Sequence, residues 1–244
     1  MLVLAGLGIS DEKGLTLEEL EEVKNADYVF IELYTSIWSG SVEILEKIIE
    51  KKVHILKRKD LEEDVSKIVD LAKNKKVVIF VPGDPLVATT HSSIILECMK
   101  NGIDYKILHN SSIFSAICET GLHIYKFGQA VTIPMKEKTS TLPLSTINAI
   151  LENKKRGLHT LCLLDIDVEN NKFLKVEEAV KFLLENNLVE KEEKIIVVSS
   201  LGTKNRKIVW REVRDVLSLN FDLPAVIIIP GKLHFSEKEM LEKL

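Results

Sequence analysis

The sequence lacks several features that mark specialised classes of protein. It has three cysteines, and no two of them have the C-x-x-C spacing of a zinc cage. We therefore expect neither a disulfide framework nor a metal site, and we expect a reducing, cytoplasmic environment. The longest apolar runs, Val77–Val81 and Ala225–Ile229, have the length of strands and are too short to cross a bilayer. No membrane association is expected.

An excess of charge of one sign is also missing. The 244 residues carry 33 basic and 37 acidic side chains, which gives a net charge of −4. This balance disfavours nucleic acid as a partner. The sequence starts with a short apolar run and no basic segment, so no signal peptide is expected. Hydrophobic residues make up 45% of the chain and charged residues 29%, as in globular proteins with a buried core.

Short apolar runs alternate with amphipathic segments in the first half of the chain. Strands are predicted at residues 2–5, 28–33, 53–56, 77–81 and 105–108. Helices are predicted at residues 17–24 behind a Thr16 capping box, at 41–48, at 61–72 and at 92–100. Alternation of strand and helix is typical of an α/β fold with a largely parallel sheet.

The second half is less regular, and it predicts a second α/β domain. Its predicted strands are residues 130–133, 158–164, 195–199 and 225–229. Its predicted helices are residues 143–155, 175–185 and 211–217, and the polar stretch 136–142 is predicted to be a loop. We place the domain boundary near His109, which gives domains of residues 1–109 and 110–244.

Two glycines follow the first strand, in Gly6-Leu7-Gly8-Ile9. Glycine allows a backbone to approach a ligand closely at the carboxyl end of a strand. A dinucleotide fingerprint would need a third glycine at position 11, where this chain has Asp11. A dinucleotide site is therefore disfavoured, and an ordinary tight turn is the alternative to a ligand loop.

The segment Pro82-Gly83-Asp84-Pro85 follows the most apolar strand. Its prolines restrict the backbone and would hold Asp84 rigidly at the carboxyl end of the strand, where α/β sheets bind ligands. A carboxylate there could accept hydrogen bonds from an ammonium or hydroxyl group. The alternative is a turn in which Asp84 caps backbone donors.

Two further segments allow two interpretations each. Residues 110–116 place small polar residues before a predicted helix, so they are either a ligand-binding helix start or a plain N-cap. Residues 121–128 mix aromatic, basic and glycine residues. They are either a substrate-facing loop or a connector in which Tyr125 and Phe127 anchor a core.

None of the six histidines forms a metal-ligand pair with another.

Taken together, these segments resemble the diphthine synthases, methyltransferases of diphthamide biosynthesis within the tetrapyrrole-methylase-like group. The resemblance covers nearly the whole chain. Its marks are Gly6-Leu7-Gly8, Glu32-Leu33-Tyr34-Thr35-Ser36, residues 82–91, residues 121–128, Gly157-Leu158-His159-Thr160, Leu164-Asp165-Ile166 and residues 229–234. The resemblance implies two α/β domains with a cofactor cleft between them, S-adenosylmethionine as the cofactor, S-adenosylhomocysteine as its product, and a homodimer.

The resemblance also implies which residues bind the cofactor. Asp84 and Val87 would contact its methionine part, while Leu201 and Ala225 would border the adenine. The remaining implied contacts are Ile9, Ser112, Ile113 and Leu164. No catalytic residue is assigned, and Asp84 is expected to position the cofactor rather than to act as a general base. Asn110-Ser111 replaces the smaller or proline-containing pair expected before Ser112.

The implied reaction is successive methylation of the amino group of a carboxy-aminopropyl histidine on translation elongation factor 2. Tyr125, Lys126 and Phe127 are candidates for contacting that protein. Two alternatives stay open at this point. One is a corrin-pathway methyltransferase that acts on a tetrapyrrole carbon with the same fold, and the other is a non-catalytic nucleotide-binding module.

Overall fold

The computed structural model describes residues 1–138 and 142–244. It divides into two compact units, Met1–Phe114 and Ser115–Leu244. The first unit thus extends to Phe114, past the boundary expected near His109. Each unit contains a five-stranded sheet and helices, so the predicted mixed α/β fold is confirmed.

The sheet of the first unit is parallel throughout. Its strands are β1 (Leu2–Gly6), β2 (Tyr28–Glu32), β3 (His54–Leu56), β4 (Val77–Val81) and β5 (Tyr105–Leu108), in the order β3-β2-β4-β1-β5. Every pairing is parallel. All residues of β1 and β4 are buried, as expected for central strands that are covered on both faces. This order places β1 between β4 and β5.

The helices of the first unit are α1 (Leu17–Lys24), α2 (Val42–Ile49), α3 (Arg58–Glu62), α4 (Val65–Asn74), α5 (Ser92–Lys100) and α6 (Ile113–Ala116). The capping box of α1 is confirmed, because Thr16 and Glu19 bond each other's backbone N–H. The single helix predicted over residues 61–72 is wrong, since α3 ends at Glu62 and α4 begins at Val65. Asp64 stands at the N-cap of α4, where a carboxylate interacts favourably with the helix dipole.

The sheet of the second unit is mostly antiparallel, unlike that of the first, and the sequence did not predict the directions of its strands. Its strands are β6 (Val131–Ile133), β7 (Thr160–Leu164), β10 (Lys194–Ser199), β11 (Lys207–Glu212) and β12 (Ala225–Ile229), in the order β11-β10-β12-β7-β6. Within the described residues of this sheet, only the β6–β7 pairing is parallel. A separate hairpin pairs β8 (Ile166–Asp167) with β9 (Lys172–Phe173). No helix separates β10 from β11, and strands joined without a crossover pair antiparallel.

The helices of the second unit are α7 (Leu144–Lys155), α8 (Val176–Glu185), α9 (Val213–Val216) and α10 (Phe235–Leu241). The helix predicted over residues 211–217 is shorter than expected, because Arg211 and Glu212 belong to β11. The sequence did not predict β11 or α10. Of the loop predicted at 136–142, Lys136–Lys138 form a 3-10 turn, and residues 139–141 lie outside the described residues. Within the described chain, no helix is both long and apolar enough to span a membrane.

Candidate functional site

Three loops lie side by side at the carboxyl edge of the first sheet, because β1 lies between β4 and β5 and all three run parallel. The loops after β1 and β4 are joined by two backbone bonds. Gly8 donates to the Gly83 carbonyl over 3.1 Å, and Gly83 donates to the Gly8 carbonyl over 2.8 Å. A Cβ on Gly6 would lie 2.5 Å from the Gly83 oxygen. The glycine at position 6 is therefore needed for the close approach of two loops of this chain.

Asp84 connects the loop after β4 to the loop after β5. Its side chain is buried, and its Oδ1 accepts from the Leu86 N–H over 2.9 Å. Its Oδ2 accepts from His109 Nδ1 over 2.8 Å and from the Asn110 N–H over 3.3 Å. Asp84 thus caps its own turn, and it also orients the next loop. A carboxylate accepts about four hydrogen bonds, so these three leave room for a ligand donor.

Asn110 and Ser111 fix the loop after β1. The Asn110 Nδ2 group donates to the Gly6 carbonyl over 2.7 Å and to the Gly14 carbonyl over 2.9 Å. The Ser111 hydroxyl accepts from the Ile9 N–H over 3.3 Å. The sequence shows these two residues only as a departure from the diphthine synthase pattern. Their partners are about a hundred residues away, so no local pattern could have identified them.

The structure brings the five implied cofactor residues of the first unit to this one edge. Ile9 and Val87 are half-buried in their loops, and Asp84 and Ser112 are buried. Ile113 begins α6, which has only four residues. So short a helix has only a small dipole with which to attract an anion. Ligand binding at this edge would therefore depend on the loops.

The three implied cofactor residues of the second unit also lie at one sheet edge. Leu164 ends β7, Ala225 begins β12, and Leu201 follows β10. Because β12 runs antiparallel to both neighbours, its start lies beside their ends, as the pairing of Ser199 with Ala225 shows. All three side chains are buried. The antiparallel sheet therefore still groups these residues.

A buried carboxylate, that of Glu237 in α10, organises another part of the second unit. Its Oε1 accepts from the His123 N–H over 2.9 Å and from His159 Nε2 over 3.1 Å. Its Oε2 accepts from the His234 N–H over 2.6 Å and from the Lys126 ammonium. Burial raises the pKa of Glu237, but the hydrogen bonds from these groups outweigh it and lower the pKa to about 2. Glu237 was not identified from the sequence.

The segment 121–128 fits neither of its two interpretations completely. Tyr125 is 93% exposed, so it is not a core anchor. Phe127 is half-buried and packs edge-on against His159, with ring centroids 5.2 Å apart. Lys126 is held by Glu237 and by the Lys232 carbonyl, 2.6 Å away. Glu237 binds His123 before Tyr125 and Lys126 after it, so the turn is fixed on both sides of the exposed tyrosine.

Among residues 1–138 and 142–244, no cluster of three or more His, Cys, Asp or Glu side chains could hold a metal ion.

The chain is similar to known proteins over its full length. The family model of the Tetrapyrrole (Corrin/Porphyrin) Methylases matches residues 1–216. The diphthine synthase of Methanocaldococcus jannaschii is 40% identical over 100% of this chain and 98% of its own length. That of Methanococcus aeolicus is 39% identical with the same coverage. A crystal structure of diphthine synthase superposes with a TM-score of 0.90 and 34% identity, over 99% of this chain and 94% of that one. The chain therefore belongs to the diphthine synthases, within the tetrapyrrole methylase family.

Proposed function

We propose that this protein transfers methyl groups from S-adenosylmethionine to the amino group of a carboxy-aminopropyl histidine on translation elongation factor 2. The observation that carries the proposal is the full-length similarity to two diphthine synthases, 40% and 39% identical. The three joined loops at the edge of the first sheet support it, because ligands of α/β sheets bind at the carboxyl ends of strands.

The residues at this edge suit the methionine part of the cofactor. The Asp84 carboxylate is a partner for an ammonium group, and the half-buried Ile9 and Val87 are partners for methylene groups. Glycine at position 8 lets the loop after β1 lie against the loop after β5, since a Cβ there would lie 2.8 Å from the Ser111 hydroxyl. We propose that Ser112 and Ile113 complete this half of the site.

The second half of the proposed site is apolar. Leu164, Leu201 and Ala225 are buried hydrophobic residues at one sheet edge. An adenine ring has two apolar faces, so Leu201 and Ala225 suit it as neighbours. We propose that Leu164 borders the same ligand.

Little acid–base chemistry is required of the protein. S-Adenosylmethionine supplies an electrophilic methyl group together with its own leaving group. The residues of this chain then have to hold the cofactor and orient it towards the amine. In well-aligned reactions such orientation lowers the activation barrier by on the order of 7–11 kcal/mol. α-Amino groups titrate near ~8, so a neutral fraction of the substrate amine exists near neutral pH. No general base is assigned.

The protein substrate needs an exposed docking surface. Tyr125 and Lys126 support such a role, because Tyr125 is exposed on a turn that Glu237 holds in place. We propose that they contact the elongation factor together with Phe127. We further propose a cytoplasmic homodimer, as the family resemblance implies.

The decisive experiment measures the intact mass of elongation factor 2 after incubation with this protein and S-adenosylmethionine. The factor carries the unmethylated carboxy-aminopropyl histidine, and a factor with unmodified histidine is the control. Mass gains of whole methyl groups on the first factor alone are expected, and their number distinguishes three methylations from four.

The opposite outcome is also informative. No mass gain, with cofactor binding still seen by calorimetry, would contradict the proposed substrate. Methylation of a tetrapyrrole under the same conditions would then identify a corrin-pathway enzyme.

A further inference from the structure

A fully buried glutamate–histidine pair lies behind the Asp84 loop. Glu32 ends β2 and has no exposed surface, and His91, just before α5, is 1% exposed. His91 Nε2 lies 3.9 Å from Glu32 Oε1. Among the described residues this nitrogen has no hydrogen-bond partner. The two residues come from two separate segments that mark the family resemblance.

The hydrogen bonds around His91 determine its tautomer. Its Nδ1 lies 3.1 Å from the Pro85 carbonyl oxygen. A carbonyl only accepts, so Nδ1 carries the hydrogen and donates it. Burial lowers the pKa of His91, which favours the neutral ring. Nε2 therefore presents a lone pair towards Glu32.

Three hydrogen bonds converge on the Glu32 carboxyl group, which is buried without exposed surface. Its Oε2 accepts from the N–H groups of Tyr34 and Thr35 over 3.0 and 3.1 Å. Its Oε1 accepts from the Thr35 hydroxyl and faces His91. Burial has the largest influence on the pKa of Glu32 and raises it. Oε2 already accepts two N–H groups, so Oε1, which faces the His91 lone pair, is the oxygen that can hold a proton between the two side chains.

The pair acts on a loop whose backbone is strained. The Pro85 carbonyl accepts from His91 and also from the Thr89 hydroxyl over 2.7 Å. Ala88 has a φ of 56°, in the left-handed region that costs a non-glycine residue energy. Such a conformation persists only where surrounding contacts hold it. The Pro85 carbonyl directly follows Asp84, so its position affects the carboxylate.

We propose that Glu32 and His91 form a neutral positioning pair, in which Glu32 orients His91 and His91 fixes the Pro85 carbonyl so that Asp84 and Val87 are held ready for the cofactor. The inference rests on the proposed function, because it assigns the pair to the cofactor half of the site. Glu32 and His91 act through the loop and are not catalytic residues. The 3.9 Å between His91 Nε2 and Glu32 Oε1 is longer than a formed hydrogen bond, so a small movement of either side chain completes the pair.

The first test replaces His91 and measures the Kd for S-adenosylhomocysteine by calorimetry. In His91→Asn the side-chain amide takes the place of Nδ1 and can still donate to the Pro85 carbonyl. In His91→Leu the donor is lost. We expect His91→Leu to weaken binding about tenfold, the scale of one lost hydrogen bond. His91→Asn is expected to stay within about threefold of wild type, as is the exposed control His54→Leu.

The second test separates the neutral pair from a charged one. In Glu32→Gln the amide oxygen accepts from the Tyr34 and Thr35 N–H groups, and the amide nitrogen donates to His91. Glu32→Gln is therefore expected to bind S-adenosylhomocysteine like wild type, whereas Glu32→Leu weakens binding about tenfold. Equal losses in both variants would show that the pair needs a negative charge and would overturn the proposal.

A merely structural role predicts a different pattern. It would lower the Tm of the leucine variants and leave the Kd of the folded protein unchanged, and this result would overturn the proposal. Positioning predicts a raised KM for S-adenosylmethionine with kcat within about twofold of wild type. If wild type itself does not bind S-adenosylhomocysteine, the proposed function fails together with the inference. If wild type binds and every variant binds equally, only the inference fails.

Discussion

The Glu237 carboxylate accepts a hydrogen bond from Nε2 of His159 over 3.1 Å, and neither side chain is exposed. His159 Nδ1 accepts from the Gly231 N–H over 2.9 Å, so Nε2 is the nitrogen that carries the hydrogen. Burial lowers the pKa of His159, which favours the neutral ring. Glu237 thereby joins three segments that the sequence shows only as separate marks of the family, residues 121–128, 157–160 and 229–234.

Glu237→Gln is expected to destabilise the second unit by on the order of 3 kcal/mol at pH 7, because several donors then lose their buried charged partner. The pKa of Glu237 falls from 4.5 to about 2 on folding. Its stabilisation is therefore complete above pH 4.5 and is lost as the pH falls towards 2. Urea unfolding at pH 7 and pH 3 measures this. The difference in unfolding free energy between wild type and Glu237→Gln should be smaller at pH 3 than at pH 7.

Glu242→Gln is the control for this prediction, because Glu242 lies at the end of the same helix with its side chain 54% exposed. It should leave the unfolding midpoint nearly unchanged. A Glu237→Gln protein as resistant to urea at pH 7 as wild type would contradict the role of the carboxylate.

The parts of the fold that were predicted correctly are those whose own residues carry a sequence pattern typical of the element. The apolar runs of β1 and β4 predicted buried strands, and Thr16 with Glu19 predicted a helix start. The helix α10 was missed because its N-cap is His234 rather than serine, threonine or aspartate. The direction of β12 was also missed, since an apolar run does not show which way a strand runs.

The candidate site was predictable only in part, for the same reason. Rigidity around Asp84 could be recognised from two prolines and a glycine nearby in the sequence. The bonds from Asn110 to Gly6 and Gly14 join residues 104 and 96 positions apart. Such pairs come together only through the order of strands in the sheet, which the sequence pattern did not specify.

Glu19 gives the first unit a pH dependence of opposite sign. Burial raises the pKa of Glu19 from 4.5 to about 7, although hydrogen bonds from Thr16 and Asn110 oppose the change. The folded unit then holds a proton that the unfolded chain releases, so its stability falls as the pH rises from 4.5 to 7 and is constant above. A shift of this size corresponds to at most about 3 kcal/mol.

Glu19→Gln should remove this slope, because a neutral amide still accepts from the Thr16 N–H and does not titrate. Unfolding free energies at pH 5, 6, 7 and 8 would show it, with the exposed Glu21→Gln as the matched control. If Glu19→Gln keeps the slope of wild type, another group is responsible.

Gly6→Ala should weaken cofactor binding without unfolding the chain. The new Cβ would lie 2.5 Å from the Gly83 oxygen and 2.9 Å from Asn110 Cβ, so the loops after β1 and β4 must separate. We expect the Kd for S-adenosylhomocysteine to rise more than about tenfold. The control is Gly102→Ala, at a φ of +64° with nothing within 4 Å. It should cost about 1 kcal/mol of stability without affecting binding, and equal binding losses would contradict the expected clash.

Asp84→Asn tests whether the buried carboxylate positions the cofactor or acts as a base. In one orientation the new amide nitrogen faces the donors of His109 and Asn110, and in the other it faces the Leu86 N–H. The first orientation opposes two donors and the second opposes one, so in both cases the loop must shift, and the affinity for S-adenosylhomocysteine should fall at least as much as kcat. His109→Gln is the matched control, because His109 is 65% exposed and glutamine retains a donor for Asp84. A large loss of kcat with unchanged Kd would instead assign Asp84 a role in proton transfer, since binding alone would then not depend on its charge.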